Sequence, residues 1–116
     1  NFSVMPGSET KLLKGLECGC SGIITATCNA TAQLARRVYD DFNNGNDQSY
    51  NQKLIDVRNT FEKYNLISSL HTFFSKEDEI YKNLLPPLSL LNDLEDKDLT
   101  QSLKILNFET NSQLAA

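Results

Sequence analysis

Apolar positions in this chain change their spacing near residue 28, and that change divides the sequence into two kinds of element. Phe2-Ser3-Val4-Met5 alternates apolar and small residues and stops at Pro6-Gly7, which predicts a short strand ended by a breaker pair. Ser8 then suits a helix N-cap, and Leu12, Leu13 and Leu16 make an apolar stripe at helical spacing that Gly19 terminates. Gly22-Ile23-Ile24-Thr25-Ala26-Thr27 is apolar or β-branched at most positions, as expected of a parallel strand covered on both faces. Residues 2–27 therefore read as a β-α-β unit.

From Asn29 onward every apolar set has the helical period. Asn29 is expected to cap a helix carrying Leu34, Ala35, Val38, Tyr39 and Phe42, which Asn43-Asn44-Gly45 stops. Asp47 is expected to open the next helix, whose Tyr50, Leu54, Val57, Phe61 and Tyr64 fall on one stripe. A third segment holds Leu66, Ile67, Leu70, Phe73 and Phe74. Residues 76–79 then break the pattern and are placed at the surface. Pro86-Pro87 forces extended chain, and a last helix is predicted from Asp96 to Phe108 with Leu99, Leu103 and Leu106 inward. Two strands with a helical tail would expose unpaired edges, so either the tail covers them or neighbouring strands lie outside this chain.

Length and charge narrow the function. The 116 residues are far fewer than the roughly 250 of a complete (β/α)8 barrel. The first residues show no initiator Met, basic region or apolar core, so they are not read as a signal peptide but as the middle of a folded protein. No tract reaches the about 20 apolar residues of a membrane span. A net charge of −4 without a Lys/Arg stripe speaks against nucleic acid as a partner. Cys18, Cys20 and Cys28 are odd in number, which favours a reducing cytoplasm over a secreted disulfide framework. With His71 they do not meet zinc-ligand spacing, so no metal is expected and small buried thiols are the better reading. His71 lacks a recognisable nucleophile partner and reads as a helix-surface or packing residue. Arg36 and Arg37 read as salt-bridging residues on a polar helix face.

Two strand-end motifs carry a resemblance. Pro6-Gly7-Ser8-Glu9, a helix, and then Gly22-Ile23-Ile24-Thr25-Ala26-Thr27-Cys28-Asn29 opening another helix resemble the seventh and eighth β/α units of the dihydrodipicolinate synthase and N-acetylneuraminate lyase family. Leu85-Pro86-Pro87-Leu88-Ser89-Leu90 is similar to that family's Pro-Pro-Leu-x-Pro-Leu stretch. The resemblance implies an α/β fold, the C-terminal fragment of a (β/α)8 TIM barrel (strands 7 and 8) followed by a C-terminal helical region. It divides the chain into residues 1–45, the last two β/α units, and 46–116, the helical extension.

The resemblance also implies chemistry. Family members hold pyruvate, or a related 2-keto acid, as a Schiff base on a lysine at the end of strand 6 and join it to, or release, an aldehyde-type small molecule. No metal or diffusible cofactor is needed. That lysine would lie upstream of Asn1, so the chain by itself is expected to be inert. Its own contribution would be pocket wall: Gly7 beside the keto acid, Ser8 and Glu9 toward the second substrate, and Ile24 against the pyruvyl group. Relatives often carry two aspartates at positions 8 and 9 and arginine at position 85. The Ser-acidic pair looks closer to aldolases acting on 2-keto-3-deoxy sugar acids, whose hydroxyls suit a short hydroxyl and an acceptor. A homo-oligomer, dimer or tetramer, is expected through the tail helices. The rival reading is a small helical interaction module without catalysis.

Overall fold

The structure is a computed structural model that describes residues 1–109; the end of the expected extension 46–116 lies outside the described residues. Among the described residues there are helices and no strand. The described residues form two compact units, the first Asn1–Arg58 and the second beginning at Asn59.

The absence of strands corrects the expected α/β class and the assignment of residues 2–5 and 22–27 as strands 7 and 8 of a TIM barrel. Both segments are extended and run in the same direction, but they meet through only a few bonds. Ser21 N–H donates to the Val4 carbonyl at 2.9 Å, and Ile24 N–H to the Pro6 carbonyl at 3.2 Å. Both bonds come from the second segment, with donors three positions apart and acceptors two apart. A parallel ladder needs even spacing and donation in both directions. Pro6 has no N–H to return a bond, and Gly22, at φ 154°, takes up the extra residue. The two-sided burial expected of such strands is also missing, since Phe2 and Ile24 are exposed.

In the first unit, a 3₁₀ turn (Glu9–Lys11) leads into α1 (Leu12–Glu17), shorter than the single helix expected from Ser8. Gly19 ends it in the left-handed region, at φ 90°. α2 (Cys28–Asn43) follows, starting one residue before the expected cap Asn29, which sits inside its first turn. Gly45 closes it at φ 69°. Leu12 and Leu16 pack with Ala35, Val38 and Leu54 into one core, with Ile23, Tyr39 and Tyr50 at its margin. Leu54 comes from α3 (Asn51–Glu62), which begins four residues after Asp47.

The second unit is built on aromatic rings. α4 (Leu66–Phe74) starts at Asn65, whose side chain accepts from Ser68 N–H. Phe61 is fully buried and meets Phe73 edge-on, with ring centres 5.3 Å apart. α5 (Asp93–Ile105) begins three residues before the expected Asp96. Asn92 and Glu95 there form a reciprocal capping box. Asn107, at φ 53°, turns the chain back so that Phe108 N–H reaches the Leu103 carbonyl at 2.9 Å and the Phe108 ring stacks on Phe73. Asn92→Ala should lower stability by about 1 kcal/mol, read as a drop in the urea midpoint; an unchanged midpoint would show that the box contributes nothing.

Candidate functional site

The four residues picked out by sequence lie at the start of the first unit, on the turn after the first extended segment and on the second. The structure brings them close together but turns their side chains differently. Gly7 is exposed, and a Cβ built there would meet nothing nearer than the Ile24 carbonyl oxygen at 3.9 Å. Ile24 is 73% exposed, unusual for an isoleucine. Ser8 caps the 3₁₀ turn: its Oγ accepts from Thr10 N–H at 3.3 Å and lies 2.9 Å from the Thr10 hydroxyl.

Glu9 points inward instead, with no exposed surface. Its Oε1 accepts from the hydroxyls of Thr25 at 2.6 Å and Thr31 at 2.9 Å, and Oε2 from Arg58 Nη1 at 2.8 Å. Burial pushes the carboxyl up, but bonds from Thr25, Arg58, its own backbone and Thr31 outweigh it and hold Glu9 below the usual carboxylate range. Thr25 Oγ also accepts from Cys28 N–H at 3.0 Å, so one hydroxyl joins the glutamate to the first turn of α2. The cluster thus fastens the turn carrying Gly7 and Ser8 to α2 and α3.

Sequence reasoning missed Arg58 and Thr31. A signal for Arg58 was present: it lies four residues after Leu54 and three before Phe61, which puts a cation on the apolar stripe of α3. A cation at such a position predicts a buried anion to match it. Burial, first, and the nearby Glu9 carboxylate push the Cys28 thiol up against the opposing hydroxyls of Thr25 and Thr31, which keeps it neutral and a poor nucleophile. Cys18 is exposed at the end of α1, contrary to the expected burial, and Cys20 and Cys28 are half-buried. Among the described residues no group of His, Cys, Asp and Glu could hold a metal ion. His71 Nδ1 lies 2.7 Å from the Tyr81 carbonyl, a packing contact within the second unit.

Several lysines are engaged at the surface. Lys14 pairs with Glu17, Lys63 with Asp98, Lys76 with Asp96 and Lys82 with Glu79. Hydrogen bonding to Asp98 raises Lys63 further above the range in which an amine is nucleophilic. Arg36 makes the expected salt bridge, to Asp40 at 3.0 Å, and Arg37 lies over the Tyr50 ring.

The sequence pattern of the Dihydrodipicolinate synthetase family matches residues 1–106, nearly the whole chain. The chain belongs to that family. Two solved structures are similar in fold to this family member. One is Escherichia coli K12 YagE, a prophage protein of the dihydrodipicolinic acid synthase family in complex with pyruvate, with TM-score 0.71 and 21% identity over 92% of this chain and 38% of that one. The other is Proteus mirabilis N-acetylneuraminate lyase, with TM-score 0.71 and 22% identity over 88% of this chain and 36% of that one. The chain thus spans little more than a third of the length of these solved relatives. No curated protein matches it. Among its described residues, no helix is long and apolar enough to cross a membrane.

Proposed function

We propose that this member of the dihydrodipicolinate synthetase family is the C-terminal part of a cytoplasmic pyruvate-type Schiff-base lyase or aldolase, in which it forms pocket wall and supplies no reactive amine. The observation that carries the reading is the family match over residues 1–106. In the proposed reaction, a lysine outside residues 1–116 condenses with the keto group of pyruvate. The protonated imine acts as an electron sink, so the neighbouring carbon can lose a proton and then form a bond to an aldehyde, or break one in the reverse direction. Subunit contacts of a homo-oligomer belong to the same proposal. They would use surfaces other than the α3 stripe, whose Leu54, Val57 and Phe61 are wholly buried.

Within this reading the wall has an outer and an inner layer. Gly7, Ser8 and Ile24 form the outer one: a position without a side chain, a hydroxyl and an exposed apolar group on one edge. Glu9 forms the inner one, because both its carboxylate oxygens are taken by Thr25, Thr31 and Arg58. It would shape the pocket by fixing the turn and leave direct contact with the second substrate to Ser8. A hydroxyl there suits a hydroxylated aldehyde such as the one released from 2-keto-3-deoxy sugar acids.

Gly7→Ala in the longer gene product separates wall from scaffold. The added methyl has room and Gly7 is not at positive φ, so the melting temperature should stay unchanged. The kcat/KM for pyruvate release should fall about tenfold, equivalent to roughly 1.4 kcal/mol of lost transition-state binding. Unchanged kinetics would remove Gly7 from the pocket. A longer product with no pyruvate-forming activity at all would favour the interaction module.

A further inference from the structure

The second unit carries a hollow that the proposed lyase chemistry does not use. Phe73, Leu103 and Phe108 form its floor, Lys76 and Lys104 stand at its rim, and its volume is about 290 Å³. Its construction follows from the turn at Asn107, which brings the Phe108 ring onto Phe73 with centres 5.9 Å apart and planes inclined by 28°. The stacked rings are almost wholly buried and line the bottom of the hollow with little surface of their own, beside the face of α5 that carries Thr100 and Lys104, four residues apart on one side of the helix.

Charge decides what such a hollow accepts. Lys76 Nζ is held by both oxygens of Asp96, at 2.7 and 2.9 Å, which fixes the ammonium at the edge. Lys104 carries no ion pair among the described residues, and neither does Lys97, which lines the adjoining hollow with Lys76, Asp96, Thr100 and Gln101. Three ammonium groups thus face two carboxylates, Asp96 and Glu109, in a chain whose net charge is −4. The local excess is positive where the molecule as a whole is negative, and it borders an aromatic floor. The volume is at the small end of ligand sites.

We propose that this hollow between α4 and α5 binds a small amphiphilic carboxylate, with an apolar body about the size of one ring on Phe73 and Phe108 and its carboxylate toward Lys104. The rim then supplies charge complementarity and the floor supplies burial. Binding of this kind is independent of any imine chemistry.

The test is a titration of the isotope-labelled 116-residue chain with benzoate, followed by backbone amide shifts, with benzyl alcohol as the uncharged counterpart. Benzoate should shift the amides of Phe73, Lys76, Thr100, Leu103, Lys104 and Phe108 and should bind more tightly than the alcohol. Lys104→Gln, a surface change, should weaken benzoate about fivefold and leave the alcohol unaffected, as expected for one partly exposed charge pair. Thr100→Trp, which fills the hollow from an exposed position, should abolish both titrations while keeping the spectrum dispersed. Equal affinity for acid and alcohol, shifts confined to other residues, or an unchanged affinity in Lys104→Gln would each overturn the proposal.

Discussion

Arg58→Met is expected to destabilise the fold by about 3–5 kcal/mol at neutral pH, the usual cost of leaving a buried charge without its partner. The Glu9 carboxylate has no solvent access, and of the side chains bonded to it only Arg58 is cationic. Methionine keeps much of the arginine's apolar stem and removes the charge. Replacing both partners at once, Glu9→Leu with Arg58→Met, should recover a large part of the loss, because neither charge is then stranded.

The pH dependence fixes the sign of this effect. In the native chain the folded pKa of Glu9 lies below its unfolded value, so the cluster's contribution is fully present above roughly pH 4.3 and is lost as pH falls through the folded pKa. Without Arg58 one of the bonds that lower the carboxyl is lost while burial still raises it, so the folded pKa moves up from its native position. The variant's carboxyl then takes up its proton at higher pH than the native one, so its deficit is largest at neutral pH and narrows toward pH 4. Urea midpoints for both proteins at pH 7 and pH 4 test this. A deficit below about 1 kcal/mol at pH 7, or one that widens in acid, would show that the pair is not the anchor described.

Phe61→Ala carries a loss of similar size, about 3–5 kcal/mol, the usual range for a buried phenylalanine cut to alanine. Phe61 has no exposed surface, and its ring meets Phe73 at 5.3 Å and Phe108 at 6.2 Å, both edge-on. Its removal opens a void against Phe73, fixed in α4, and Phe108, held by the turn at Asn107, so little collapse can refill it. Phe2→Ala is the control: that ring is 89% exposed, and its removal should shift the urea midpoint very little. A mild Phe61→Ala phenotype alongside a severe Phe2→Ala one would reverse the assignment of the core.

These cases also separate what the sequence could show from what it could not. α2 and α4 were legible because apolar residues recur at helical spacing over more than two turns, and Gly19 marked the stop of α1 and Gly45 that of α2 through a conformation that other residues adopt only with strain. The extended segments were misread because a run of four to six apolar residues looks the same with or without a ladder partner. Pro6 was the warning, since a residue without an N–H weakens any central strand. The motif singled out Gly7, Ser8 and Ile24 as candidates; in the structure Gly7 and Ile24 are exposed and Ser8 bonds to Thr10. The inward turn of Glu9 was not legible, because its cation lies 49 residues away and nothing local announces the pairing.

In the proposed reading the reactive amine lies outside residues 1–116. Borohydride reduction of the proposed longer gene product in the presence of pyruvate, followed by peptide mapping, locates the lysine that forms the imine. The account predicts that the reduced pyruvyl group sits on a lysine outside residues 1–116, and that this chain treated alone stays unmodified. A pyruvyl adduct on Lys11, Lys14, Lys53, Lys63, Lys76, Lys82, Lys97 or Lys104 would contradict it.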